Sequence, residues 1–345
     1  MSRPAVSLLV LLGLPVLLLV LVPGAVLLGF AAILLAIALR GGAEALARPL
    51  RLPDWVGVVA VVLGIIGALG LGAWLVAPTL LQQADELLQR LPGAWDQIRA
   101  TLGETRWGRV LLDEFAPGDV LSQVGRATAG AATAAVAGTA NRLTDFIFLL
   151  FLCLFLAISP KPYLAGLRAL VAPEWRPRFD PVLLAMGAAL RAWVGAQMLA
   201  MAIVGGLSFI GLTLLGMPLA GILAALAALL GFIPILGPII AAVPAVLLAF
   251  GEGWSMVLWV IGLYIAIQTI EGDLVTPLVQ SRAINLPPGL ILLAQLVMLG
   301  MFGLLGLALA APLAALLLVL GKRLYVDAFL ERQDMPAPPT DPRGA

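Results

Sequence analysis

Residues 216–250 read GMPLAGILAALAALLGFIPILGPIIAAVPAVLLAF and contain no charged side chain. Two apolar halves meet at the sequence GFIPILGP, residues 231–238. Each half is short for a bilayer span, which needs roughly 20 apolar residues. Because proline removes a backbone N–H and glycine admits turn conformations, this junction is expected to interrupt the helix. The segment is predicted to be either one long broken helix or a hairpin of two short helices.

A helix break inside a bilayer leaves backbone carbonyl groups without their usual N–H partners. Lipid tolerates such a break only where protein or a water-filled cavity supplies the missing hydrogen bonds. An uncharged, interrupted apolar segment therefore favours the wall of a transport pathway. A proline-kinked structural span is the alternative, because glycine and proline are common in membrane helices.

The overall composition is that of a polytopic helical membrane protein. The chain has 345 residues, of which 62% are hydrophobic and 11% are charged, and its mean hydropathy is +1.10. Ordinary soluble domains are about 25% charged. The net charge is only +1, so no nucleic-acid partner is expected.

The residue inventory excludes most catalytic and metal chemistries. The sequence has no histidine, which removes Ser-His and Cys-His catalysis and histidine-ligated zinc. Cys153 is the only cysteine and lies in an apolar run, so it is predicted to be a small buried hydrophobe. No glycine-rich Walker loop ending in Lys-Ser or Lys-Thr is present. We therefore expect no enzyme activity, no cofactor, no bound metal and no ATP-driven step within this chain.

The apolar runs predict an all-α, polytopic membrane protein with about eight membrane segments. These segments are Val6–Leu21, Ala25–Leu39, Trp55–Val76, Leu143–Ile158, Ala192–Leu215, Gly216–Phe250, Trp254–Ile270 and Leu290–Leu320. The apolar character resumes after Pro23 without a convincing cleavage site, so the first segment does not read as a removed signal peptide. The last segment is too long for one untilted span. Its glycines at 300–306 and its Pro312 predict a second broken or re-entrant hairpin.

Basic residues predict the orientation of the chain in the membrane. They cluster in three places: Arg40, Arg48 and Arg51; Lys161, Arg168, Arg176, Arg178 and Arg191; and Lys322, Arg323 and Arg332. By the positive-inside rule these regions and both termini are cytoplasmic. Two hairpins make this assignment self-consistent, whereas an unbroken Leu290–Leu320 span after the first hairpin would place Lys322 and Arg323 outside. A separate helix on the membrane surface is expected at Pro181–Leu190.

Residues 78–141 are predicted to form an extramembrane, amphipathic helical insert on the extracytoplasmic side. Apolar residues recur at helical spacing from Leu80 to Leu91, with polar residues between them. Pro92-Gly93 is expected to end this helix. The helix either packs on its neighbours with a solvated face or serves as a subunit contact or interfacial lever. The predicted organisation is N-terminal membrane helices at 1–77, the insert at 78–141, a permease core at 142–325 and a disordered, proline-rich tail at 326–345.

Paired interrupted segments are the best sequence pointer to a transporter's binding site. Polar residues near them complete the predicted transport pathway. The predicted pathway residues are Gln197, Gly231, Pro234, Gly237, Pro238, Gln268, Glu271, Gly303, Gly306 and Pro312. For Glu271, pairing with Arg282 or capping of a polar turn is the structural alternative to a coupling role.

An ordered set of motifs resembles the signature of the autoinducer-2 exporter family, also described as PerM-like permeases. The motifs are Arg191, Gly195 and Gln197; Gly231-Phe232-Ile233-Pro234, Gly237-Pro238 and Pro244; Gln268, Glu271-Gly272 and Pro277; and Pro287, Gly303, Gly306 and Pro312. The resemblance covers nearly the whole chain, and its specific part is residues 190–315. Phe232 and Ala241 depart from the family pattern, which has Asn and Gly there more often.

The resemblance implies an eight-segment permease of the bacterial inner membrane that assembles as a homo-oligomer in the lipid bilayer. Members of the family are linked to export of the quorum-sensing signal autoinducer-2, and others to sodium–proton exchange. The expected substrate is thus a small molecule or an ion. A sodium/proton antiporter or ion channel is the first alternative, and a non-transport membrane scaffold that presents residues 78–141 is the second.

Overall fold

The computed structural model describes residues 13–15, 17–50, 53–75, 77–103, 139–275 and 287–323. All regular structure in these ranges is helical, so the all-α prediction is confirmed there. The helices are α1 (Pro23–Leu50), α2 (Asp54–Leu75), α3 (Ala77–Gly103), α4 (Thr139–Ile158), α5 (Pro160–Ala169), α6 (Arg176–Leu214), α7 (Ala220–Leu230), α8 (Leu236–Glu252), α9 (Trp254–Ile270) and α10 (Pro288–Gly321). A 3-10 turn, Pro173–Trp175, precedes α6, and a π-helical turn, Glu271–Val275, follows α9.

Several of the described helices can cross a membrane. Four are long and apolar enough to do so, within Pro23–Glu44, Pro173–Leu214, Trp254–Asp273 and Pro288–Gly321. A bent pair, Leu143–Ile158 with Pro160–Ala169, would make a fifth. The polytopic membrane class is therefore confirmed, whereas the predicted count of eight stays a prediction. Most of the predicted segment Val6–Leu21, most of the insert beyond α3 and the carboxyl-terminal tail lie outside the described residues.

The chain divides into two compact units. The first comprises Met1–Pro23, Lys161–Trp193 and Arg282–Ala345, and the second comprises Gly24–Pro160 and Val194–Ser281. The interrupted segment at 216–250 belongs to the second unit, and the segment at 288–321 belongs to the first. Each unit is therefore described by itself.

In the second unit, α3 packs its apolar face against α7 and α8. Leu87 and Leu91 of α3 are four residues apart, so they lie on one side of the helix and are buried together. They share a core with Leu223 of α7, Leu248 of α8 and Val260 of α9. The amphipathic pattern of α3 is thus explained by packing on the interrupted segment.

Small residues bring α1, α2 and α4 together in the same unit. Ala32 and Ala36 of α1 share a buried cluster with Val58 of α2 and with Cys153 and Ala157 of α4. Small side chains allow helix backbones to approach closely in membrane proteins. Cys153 is only 4% exposed, which confirms its predicted burial.

Two helix boundaries differ from the prediction. Helix α3 continues across Pro92-Gly93 to Gly103. Helix α6 runs unbroken for 39 residues through Pro181, so the expected surface helix at 181–190 and the following span form one element. A proline removes a single backbone hydrogen bond, and a long helix can continue through it with a kink. The sequence does not show whether the remaining backbone hydrogen bonds are enough to keep such a helix continuous.

Candidate functional site

The interrupted segment of the second unit forms two short helices that pack against each other. Helix α7 ends at Leu230, and α8 begins at Leu236. The intervening turn is hydrogen-bonded within itself. Ile233 N–H donates to the Leu230 carbonyl oxygen at 2.9 Å, and Gly237 N–H donates to the Ile233 carbonyl oxygen at 2.9 Å. The chain therefore breaks its helix at the predicted junction, and we call residues 230–237 the first reversal.

Gly237 allows the chain to turn back on itself in the first reversal. A Cβ added there would overlap the carbonyl oxygen of Leu230. In a continuous helix, residues seven positions apart would be separated by about 10 Å along the axis. Ile235, between them, has φ 69° and ψ −60°, outside the usual region for a β-branched residue. Such a conformation costs about 1–3 kcal/mol and persists only when the surrounding structure enforces it.

Gln197 supplies a hydrogen bond to the carbonyl group that follows α7. Its side-chain Nε2 donates to the Gly231 carbonyl oxygen. Gln197 lies on α6 and is 8% exposed, so this bond is formed away from solvent. A helix end buried without such partners would be unfavourable. The structure thus brings together Gln197 and Gly231, and a protein side chain satisfies a carbonyl group at the break.

Helices α6 and α9 pack against α7 and α8, the two helices on either side of the first reversal. A buried cluster contains one residue from each of α6, α7, α8 and α9: Val204, Ala227, Ala241 and Ile267. A Cβ added at Gly205 of α6 would lie 2.7 Å from the Cβ of Ala228. The reversal is therefore tightly packed inside the second unit.

Gln83 is a functional candidate that the sequence reasoning missed. Its Oε1 accepts a hydrogen bond of 3.0 Å from the N–H of Ile222, in the first turn of α7. The N-cap residue Leu219 makes no side-chain cap hydrogen bond. Helix α3 therefore caps α7 from outside its own sequence. Leucine is a poor N-cap residue, so its position before α7 indicates that a group elsewhere in the chain caps the helix. It does not indicate which residue supplies that group.

The interrupted segment of the first unit turns at one glycine. Gly303 has φ 64° and ψ −149°, which are not helical angles. A Cβ added at Gly306 would overlap the carbonyl oxygen of Met298 and lie 2.8 Å from the Cβ of Phe302. Residues eight positions apart would be separated by about 12 Å in a continuous helix. The chain therefore turns back here, and we call residues 302–306 the second reversal. Pro312 lies inside the following helix and is buried, so it is not the point of interruption.

Gln268 and Glu271 form a separate polar contact at the end of α9. The Gln268 Nε2 donates to the Glu271 Oε2 at 3.1 Å, and the pair lies where α9 passes into the π-helical turn. No hydrogen bond joins either residue to Gln197 within the part of the chain that the structure describes. The alternative partner Arg282 lies outside the described residues. Among those residues, no group of three or more Cys, Asp or Glu side chains could hold a metal ion.

Comparisons with known proteins identify the family of this chain. Residues 6–325 match the model of the AI-2E family transporter. "Putative transport protein YueF" of Bacillus subtilis (strain 168) is 26% identical over 280 residues, which cover 77% of this chain and 75% of that protein. "Putative transport protein YrrI" of the same organism is 25% identical over 283 residues, with 78% of each chain covered. "Putative transport protein MT0215" of Mycobacterium tuberculosis (strain CDC 1551 / Oshkosh) is 38% identical over 108 residues, or 30% of this chain and 29% of that protein. Because the model match covers nearly the whole sequence, this polytopic membrane protein belongs to the AI-2E transporter family.

Proposed function

We propose that the protein moves a small solute across the bacterial inner membrane, along a path lined by the first reversal and without an ATPase of its own. The observation that carries this proposal is the hydrogen bond from Gln197 to the Gly231 carbonyl group. An interrupted helix at membrane depth requires such a partner, and interrupted helices commonly build transporter binding sites. In this arrangement Gln197 holds the first reversal through this hydrogen bond, while Pro234, Gly237 and Pro238 shape its turn.

The same proposal treats both reversals as re-entrant hairpins within an eight-segment topology. Helix α7 has 11 residues and α8 has 17. At about 1.5 Å per residue, neither reaches the roughly 30 Å thickness of the hydrocarbon core. Each hairpin would return to the side from which it entered, so the basic regions and both termini lie in the cytoplasm. Gly303 and Gly306 shape the turn of the second hairpin, and Pro312 lies in the helix that follows this turn.

The proposed boundaries and assembly follow the sequence prediction. Residues 78–141 form the extramembrane insert, 142–325 form the permease core, and the chain assembles as a homo-oligomer. A scaffold function for the insert is less favoured because Leu87 and Leu91 are buried against α7 and α8. That apolar face of α3 is therefore not free to recruit another protein.

Autoinducer-2 is the candidate solute that family membership favours. Sodium–proton exchange is the second candidate, and the observation favouring it is the Gln268–Glu271 contact near one end of the candidate span Trp254–Asp273. A carboxylate near hydrocarbon is costly and commonly marks an ion or proton path. Glu271 would be the coupling group in that case, with Gln268 at the mouth of the same path.

Flux measurements in proteoliposomes test the proposal. Vesicles containing purified protein are compared with protein-free vesicles for release of autoinducer-2, and for sodium and proton flux under imposed gradients. We expect autoinducer-2 release that is lost in Gln197→Ala and retained in Gln82→Ala, since Gln82 is an exposed glutamine on α3. Sodium-coupled proton movement without solute release would favour the second candidate. Vesicles that match protein-free controls in every assay would refute transport.

A further inference from the structure

Two hydroxyl groups in the second unit are buried without a hydrogen-bond partner in the described structure. They are the Oγ of Ser208 on α6 and the Oη of Tyr264 on α9. Ser208 is 0% exposed. Serine within a helix often donates to a backbone carbonyl group one turn earlier, and buried tyrosine hydroxyls usually find a partner. Neither hydroxyl group has such a partner in the described structure.

The packing of α6 against α9 places the two hydroxyl-bearing residues at one level. Val204 of α6 shares a cluster with Ile267 of α9. Further along α6, a Cβ added at Gly211 would overlap the side chain of Leu263. Residue numbers thus rise along α6 as they fall along α9, so the helices run in opposite directions. Ser208 lies between Val204 and Gly211 on α6, and Tyr264 lies between Leu263 and Ile267 on α9.

The direction of Ser208 is set by its neighbours one turn away. Val204 and Leu212 are four residues on either side of it, and both are buried in cores of the second unit. Residues four apart lie on the same helix face. Tyr264 packs against both of these cores. Both side chains are therefore directed into the packed interior, where an unpaired hydroxyl group is unfavourable.

The stretches of α6, α7, α8 and α9 that surround these hydroxyl groups carry no charged side chain. No charged residue occurs at 194–214 of α6, in α7, at 236–251 of α8 or in α9. None of these four stretches offers a side chain that could neutralise an ion, and an uncompensated buried charge is very costly. A hydroxyl group, in contrast, can both donate and accept a hydrogen bond. The site therefore suits an uncharged, polar ligand.

We propose that Ser208 and Tyr264 form a binding site for an uncharged solute that bears hydroxyl or carbonyl groups. The solute donates to one hydroxyl and accepts from the other. This inference rests on the proposed transport function. It adds to that function a second site, apart from the Gln197 contact, and the hydrogen-bonding chemistry by which this site would hold the solute.

The test measures solute entry and stability in matched variants. Proteoliposomes are exposed to a gradient of glycerol or erythritol, and swelling is followed by stopped-flow light scattering. Radioactive sodium uptake is measured in parallel. The variants are Ser208→Ala and Tyr264→Phe, and the controls are Thr213→Val and Tyr163→Phe, which change exposed residues on α6 and α5. We expect each test variant to slow solute entry roughly three- to tenfold, as expected for the loss of about one hydrogen bond.

Thermal unfolding separates a binding role from a structural one. Removing an unpaired hydroxyl group leaves the melting temperature unchanged or raises it, whereas removing a bonded one lowers it. A lower melting temperature in both test variants would overturn the proposal, as would solute entry equal to wild type. Sodium uptake without glycerol or erythritol entry would reject the uncharged solute class but leave transport intact. Absence of all flux in the wild type would reject the proposed transport function itself, and this inference with it.

Discussion

The two reversals of the chain achieve the same change of direction by different means. In the first, several residues separate α7 from α8, and side chains of α6 and α3 hydrogen-bond to the broken segment. In the second, the turn is concentrated at Gly303, whose angles favour glycine. Both reversals thus need a glycine where the chain turns back, and the first also takes hydrogen bonds from neighbouring helices. Glycine substitutions should affect both reversals, and substitutions distant in sequence should affect the first.

The largest effects are expected where a backbone carbonyl group leaves no space for a side chain. Gly237→Ala and Gly306→Ala would each place a Cβ on such a group, at Leu230 and Met298 respectively. Backbone must move to relieve the overlap, which costs about 1–3 kcal/mol or more. We expect markedly lower melting temperatures and lower yields of folded protein. Gly300→Ala is the control, because nothing lies within 4 Å of a Cβ added there. Equal melting temperatures for all three variants would contradict both reversals.

A smaller but still large effect is expected from Gln197→Ala. This change leaves the buried Gly231 carbonyl oxygen without its side-chain donor and should cost about 1–3 kcal/mol of unfolding free energy. Thermal unfolding of purified protein measures this loss. Gln82→Ala is the matched control on α3. A stability as high as that of the control would show that the first reversal does not need α6.

Gln83→Ala tests the contribution of α3 to the first reversal. Loss of the acceptor for the Ile222 N–H should cost about 0.5–2 kcal/mol, as other N-cap deletions do. Hydrogen–deuterium exchange should speed up in the first turn of α7, while exchange near Gly303 should stay unchanged. Protection of α7 equal to that in Gln82→Ala would mean that the cap is dispensable.

The smallest effect on stability is expected from Glu271→Gln. Glu271 is half-buried and its partner Gln268 is exposed, and exposed polar pairs contribute little. The melting temperature should change little, because the amide can still bond to Gln268. If Glu271 couples an ion, the variant should lose the dependence of transport on an imposed sodium or proton gradient. Unchanged coupled transport would remove Glu271 from the mechanism.

Much of the fold can be predicted from local sequence. The density of apolar residues predicts membrane helices, and the glycine and proline pattern predicts both interruptions. The burial of Cys153 also follows from its apolar surroundings. These features depend on the backbone chemistry of glycine and proline and on the transfer of apolar side chains into hydrocarbon. Both can be judged from the sequence of a single segment.

Tertiary partners were harder to predict from the sequence. The cap from Gln83 joins positions 139 residues apart, and no local pattern specifies it. Pro92 and Pro181 were expected near helix ends, yet both helices continue past them. Ser208 and Tyr264 are unremarkable in sequence because their unpaired state depends on the packing of α6 against α9. Gln197 was predicted as a pathway residue, but its bond to Gly231 required the folded chain.

Cysteine accessibility tests most directly whether the first reversal lines a solute path. Because Cys153 is the only cysteine, Cys153→Ala provides a background without thiols. In that background, Pro234→Cys probes the turn, and Leu258→Cys probes a side chain of α9 that is 68% exposed and expected to face lipid. Membrane vesicles are treated with a charged, water-soluble thiol reagent. The account predicts that Pro234→Cys reacts much faster than Leu258→Cys and is protected by transported solute. Equal, slow reaction of both would contradict a path at this reversal.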